Sequence, residues 1–96
     1  MHSQRLSELG IELPPVAAPV AAYVPAVRSG DHVYTSGQLP FVDGQLPATG
    51  KVGADVDPDQ ATELARIAAL NAVAAAADLV GLDNIEQVVK VNGFVA

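Results

Sequence analysis

The sequence predicts an α+β domain whose elements run strand, strand, helix, strand. Three observations carry this reading. Two short apolar runs, residues 21–28 and 32–36, flank Ser29-Gly30-Asp31, the pattern of a tight hairpin. Asp57-Pro58-Asp59-Gln60 opens a long alanine-rich run that stops at Gly81. Residues 85–95 then alternate in a valine-rich stretch of strand type.

Each element follows from its residues. Residues 4–10 read as a short helical turn closed by Gly10. Pro14, Pro15 and Pro19 make residues 11–19 extended and irregular. Pro25 inside the first strand implies an edge position or a bulge. In the second strand, Val33 and Thr35 share one face and Tyr34 takes the other. Residues 39–50 hold Pro40, Gly44, Pro47 and Gly50 and read as a loop, with a small hairpin at Asp43-Gly44.

The helix is expected over residues 58–80. Asp57 suits the N-cap, Pro58 the first helical position, and Gln60 the capping-box spacing. Asp59 adds a negative charge where the helix dipole favours one. Ala61, Leu64, Ala65, Ala68, Ala72, Ala75, Ala76 and Leu79 form the expected buried stripe. Opposite them lie Asp59, Thr62, Glu63 and Arg66, then Leu70, Val73 and Ala77, so the second half is apolar nearly all round. Leu82-Asp83-Asn84 reads as a turn. In the last strand, Val89, Val91 and Val95 share one face, and Val88, Lys90, Asn92 and Phe94 the other.

Composition narrows the function. The 96 residues hold 5 Lys+Arg against 11 Asp+Glu, a net charge of -6. That balance opposes binding to nucleic-acid phosphates or anionic lipid. Without cysteine there is no disulfide, thiol nucleophile or thiolate metal site. His2 and His32 have no metal-ligand spacing, so neither a metal nor a cofactor is expected. No run resembles a targeting signal or a membrane span, and a cytoplasmic protein is expected. Hydrophobic residues reach 50% while charged ones stay at 17%. So apolar a surface over a thin core implies self-association.

Thr35-Ser36-Gly37-Gln38-Leu39-Pro40 is the segment to single out. It sets a hydroxyl, a glycine and an amide at a strand end, where backbone groups can meet a ligand. On spacing alone it reads first as a strand end and a turn. No nucleophile elbow or phosphate loop occurs. Tyr34 reads as strand-face packing, and Tyr23 as either pocket lining or core. Lys90 can anchor a carboxylate but is commonly a solvated strand residue. Asn71, polar in an apolar helix, is expected to satisfy a local backbone or helix–sheet hydrogen bond. The acidic residues are scattered, and none is paired by local spacing for acid–base work.

The run Ala22-Tyr23-Val24-Pro25-Ala26-Val27-Arg28-Ser29-Gly30-Asp31-His32-Val33-Tyr34-Thr35-Ser36-Gly37-Gln38-Leu39-Pro40 resembles the first hairpin of the Rid/YjgF family of enamine/imine deaminases, also called the endoribonuclease L-PSP family. Its most specific part is the distance from the tyrosine to Ser-Gly-Gln. Ala69-Leu70-Asn71-Ala72 and Val88-Val89-Lys90-Val91 resemble the family's following helix and strand, and residues 5–19 resemble the start of one subgroup.

The resemblance implies the β-β-α-β portion of a chorismate-mutase-like mixed sheet packed on helices, a single incomplete domain over residues 1–96. It implies a homotrimer with clefts between subunits that bind a small carboxylate ligand. It also implies hydrolysis of 2-imino or 2-enamino acids to 2-oxo acids and ammonia, or a binding module of the same fold without catalysis. Tyr23, Ser36 and Gly37 fall on cleft-lining positions. The family's carboxylate-clamping arginine and water-positioning glutamate belong to its C-terminal part, with a second helix and further strands. Arg5, Arg28 and Arg66 do not match that arginine, so no catalytic residue is assigned and the chain alone is expected to be a poor catalyst.

Overall fold

The computed structural model describes residues 1–16 and 24–96. Among them the order is α1 (His2–Leu9), β1 (Ala26–Ser29), β2 (His32–Thr35), α2 (Pro58–Val80) and a 3₁₀ turn (Leu82–Asn84). This is a small α+β unit in which α2 lies against an antiparallel hairpin.

The expected hairpin forms. Ser29 faces His32, Arg28 faces Val33, Val27 faces Tyr34 and Ala26 faces Thr35. Gly30, at φ 58, opens the two-residue connection, and glycine enters that left-handed region without a Cβ penalty. β1 begins after Pro25, whose missing N–H cannot join a ladder. The earlier part of the expected strand, residues 21–23, lies outside the described residues. A second tight turn forms at Asp43-Gly44, both with positive φ, where Val42 and Gln45 exchange backbone bonds of 2.9 and 3.1 Å. This is the primed turn that an Asp-Gly pair favours.

α2 occupies the residues its caps foretell. The Asp57 carboxylate accepts the Gln60 N–H at 2.8 Å, and Pro58 takes the first turn. At the other end, Asn84 Nδ2 donates to the Val80 carbonyl at 2.7 Å. A Cβ on Gly81 would sit 2.9 Å from that same nitrogen, at a φ of 86 that side chains resist. Glycine therefore lets the chain turn back under its own helix end.

Which face α2 buries differs from expectation. Asn71, Ala74 and Ala75 are buried, with Leu64, Ile67 and Ala68 half-buried beside them. Ala65 and Leu79 of the expected stripe are exposed. The buried face is thus rotated toward Ile67, Asn71 and Ala74. A count of apolar positions leaves out Asn71, which turns inward because carbonyl partners wait for it there. Val73 and Leu79 remain open, so the second half of α2 is covered on one side rather than all round. With Val56, these two alanines make a slender core.

Residues 85–96 depart from the expected third strand: they carry no strand pairing. Among the described residues, beyond Ile85 their backbone reaches another segment through one bond, from Val52 N–H to the Ala96 carbonyl at 2.9 Å. Val88, Val89, Val91, Phe94 and Val95 are exposed, Phe94 at 95%. A strand holds its form by exchanging hydrogen bonds with a neighbour, and no described segment lies alongside to exchange them.

α1 ends in a Schellman arrangement, with Ile11 N–H bonding the Leu6 carbonyl and Gly10 N–H the Ser7 carbonyl. It starts at His2, two residues earlier than the sequence suggests, because the 3₁₀ turn supplies its cap. Ser3 donates to Asp83 through both its N–H, at 2.7 Å, and its hydroxyl. The His2 ring meets the Ile85 carbonyl. The Ser3 hydroxyl, then the Ser3 N–H, hold the Asp83 carboxyl below the usual range, with smaller help from the amino terminus and His2.

Candidate ligand-binding site

Directly after β2 the chain leaves the hairpin as Ser36-Gly37-Gln38. Ser36 is tied back to the start of β1. Its N–H bonds the Pro25 carbonyl at 2.9 Å, and its hydroxyl donates to the same oxygen at 3.2 Å. Pro25, whose ring removes its own donor, thus offers a carbonyl that takes two bonds from Ser36. Gln38 then folds over Ser36, its amide nitrogen donating to the Ser36 carbonyl at 3.4 Å and hydroxyl at 3.3 Å. The three residues form one locally closed unit.

Between these anchors, Gly37 is exposed. Among the described residues, apart from its two chain neighbours, no residue places an atom within 4 Å of where a Cβ on it would stand. Nothing described in the chain crowds the position, so a backbone surface is open there to an incoming group.

The loop that follows is pinned from the helix side. The Phe41 N–H bonds the Leu39 carbonyl at 2.8 Å, a γ-turn centred on Pro40. Asn71, 2% exposed, donates Nδ2 to the Leu39 carbonyl at 3.0 Å and to the Phe41 carbonyl at 3.2 Å. The sequence predicts a hydrogen bond from Asn71 to the local backbone or to the sheet. The partners are instead loop carbonyls some thirty residues away, which no local pattern reveals. The Pro25 carbonyl was missed as well, because backbone acceptors carry no residue signature.

Of the site residues expected from the sequence, Ser36 and Gly37 are neighbours at this strand end, while Tyr23 lies outside the described residues. His32 and Tyr34 stand side by side on the outer hairpin face, ring centroids 6.4 Å apart and both exposed. Arg28 is engaged with the Gly30 carbonyl, and Arg5 and Arg66 pair with Glu8 and Glu63. Lys90 is exposed in the unpaired segment. Among the described residues, no group of acidic or histidine side chains could hold a metal ion, and no helix is long and apolar enough to cross a membrane.

The chain is 42% identical over 91 residues to Protein TCP17 of Trypanosoma cruzi, covering 94% of this chain and 57% of that protein. A crystal structure from Shewanella oneidensis MR-1, described as a "putative endoribonuclease", superposes with a TM-score of 0.75 at 38% identity, over 82% of this chain and 52% of the other. The structure of Atu1372 from Agrobacterium tumefaciens, of unknown function, gives a TM-score of 0.66 at 39% identity, over 82% and 46%. The chain therefore spans about half the length of the relatives it matches. The family model of the "YjgF/chorismate mutase-like, putative endoribonuclease" group matches residues 3–96, hairpin, site loop and helix together. The chain belongs to the YjgF/chorismate mutase-like endoribonuclease family.

Proposed function

We propose that Ser36-Gly37-Gln38 forms one wall of a cleft for a small 2-imino or 2-enamino acid. In this reading the assembled protein, a cytoplasmic homotrimer, hydrolyses that substrate to the 2-oxo acid and ammonia. Water adds across the C=N bond, and the resulting amino alcohol expels ammonia as its C–O bond becomes the new carbonyl. The observation that carries the reading is the open backbone at Gly37 beside a locked Ser36. A planar, carboxylate-bearing ligand can lie against such a surface, where a side chain would intrude. Tyr23 is assigned to the same cleft by family resemblance alone. The net charge of -6 favours a small ligand over RNA, whose phosphates an acidic surface repels. The exposed valines and Phe94 support assembly.

A second reading, ligand binding without turnover, has its own support. The Ser36 hydroxyl already donates a hydrogen bond to the Pro25 carbonyl, so it is placed to shape the cleft rather than act as base or nucleophile. The test is release of ammonia and 2-oxo acid from freshly generated 2-iminobutanoate. It is run on this chain and on the chain extended by a family-type C-terminal half. Turnover by the extended chain that Gly37→Val abolishes supports the deaminase reading. No turnover, with 2-oxobutanoate still shifting the Gly37 amide resonance, supports the binding module. Failure of both overturns the assignment of the cleft. Light scattering checks the trimer, which a monomer at micromolar concentration would exclude.

A further inference from the structure

We infer that Asn71 is a positioning residue for the ligand wall, fixing from inside α2 the loop that presents Gly37. The inference rests on the reading of Ser36-Gly37-Gln38 as a cleft wall. Asn71 is the buried polar residue of a helix face otherwise lined by Ala74, Ala75 and half-buried Leu64, Ile67 and Ala68. Desolvating an amide costs free energy unless its hydrogen bonds are replaced. Here both hydrogens of Nδ2 are used, one on the Leu39 carbonyl and one on the Phe41 carbonyl.

Those two carbonyls flank Pro40, and the Leu39 carbonyl also accepts the Phe41 N–H that closes the γ-turn after Gln38. The segment 36–41 is thus held at both ends. Ser36 is tied to the hairpin through Pro25, and Leu39 and Phe41 are tied to the helix through Asn71. Gly37 and Gln38 bridge the two anchors. An apolar side chain of the same size would fill the volume but take the Asn71 donor from both carbonyls, leaving the Leu39 oxygen with only the Phe41 N–H. The loop could then leave the helix while hairpin and helix stayed packed. The Asn71 amide Nδ2 donates to neither its own helix nor the strands, so the geometry it sets is that of the loop.

The test compares Asn71→Leu and Asn71→Ala with Ala74→Gly, which weakens the same helix without removing a hydrogen bond to the loop. Amide hydrogen exchange is read at Ser36, Gly37, Gln38 and Phe41 and along α2. Binding of 2-oxobutanoate is read from the Gly37 amide resonance. The expected result is faster exchange at Phe41, whose N–H bonds the Leu39 carbonyl, by about tenfold in both Asn71 variants, with Ser36 unchanged. Affinity for 2-oxobutanoate should fall by a similar factor in both. Ala74→Gly should raise exchange along α2 and leave affinity within about twofold of the parent. Equal loop exchange and affinity in Asn71→Ala and Ala74→Gly would reduce Asn71 to a packing residue and overturn the inference. Failure of the unsubstituted chain to bind 2-oxobutanoate would overturn the ligand reading instead. Loop exchange would then still decide whether Asn71 positions the segment.

Discussion

Residues 58–80 and residues 85–96 are both rich in alanine or valine, yet one is a capped helix and the other an unpaired strand-like tail. A helix bonds its own backbone, and Asp57, Pro58 and Gly81 deal with its ends. It forms wherever one side finds cover. A strand leaves every N–H and C=O to be met from outside. Hydrophobicity alone fixes neither outcome; what differs is where the backbone partners come from.

The sharpest way to break this contrast is to put a charge into each region. Ala75→Asp places a carboxylate at a position only 2% exposed, and the cost should be several kcal/mol, enough to unfold so slender a core. Val91→Asp in the isolated chain should change stability by less than about 0.5 kcal/mol, since its site is exposed. Thermal melts followed by circular dichroism compare the two. Comparable losses from both would mean that another subunit covers the tail, and light scattering would then show the assembly.

Asn71→Leu is expected next in size. The Phe41 carbonyl loses its side-chain donor and the Leu39 carbonyl one of two, and stability should fall by roughly 1–3 kcal/mol by chemical denaturation. An unchanged midpoint would show that water replaces the amide. Asp57→Ala removes the N-cap bond to Gln60 and should cost about 1 kcal/mol. A loss far below that would mean that packing on the hairpin, rather than the cap, starts α2.

The smallest effect concerns α1. Asp83 is depressed in the folded chain, chiefly by the Ser3 hydroxyl, so its contribution is present above the ordinary aspartate pKa. That contribution is lost as pH falls through the lowered folded value. Below about pH 4 the contact of α1 with the 3₁₀ turn should weaken while α2 persists. Exchange of the Ser3 and Arg5 amides against pH reads this directly, and Asp83→Asn should flatten the profile. A profile unaltered by Asp83→Asn would assign the docking to the other contacts of α1.

Legibility of the molecule followed the same division. Hairpin, Asp-Gly turn and long helix could be read from the sequence because glycine, proline and aspartate act there within four residues of themselves. The strand end at Ser36 and Gly37 was readable as a position, and the family resemblance marked it as a cleft. Its construction was not readable, since the groups that hold it are the carbonyls of Pro25, Leu39 and Phe41. Every residue carries a carbonyl, so composition cannot distinguish those that matter.

By itself the sequence determined where α2 begins and ends, the hairpin turn at Gly30, and the net charge of -6. These rest on intrinsic φ preferences, local caps and net charge, none of which needs a distant partner. Only the tertiary structure decided that α2 turns Asn71 inward, that Ser3 meets Asp83 eighty residues away, and that residues 85–96 stay unpaired among the described residues. Each of those depends on which backbone groups are brought alongside from far away in the chain, and hydrogen bonds of that range are settled by packing geometry rather than by local preference.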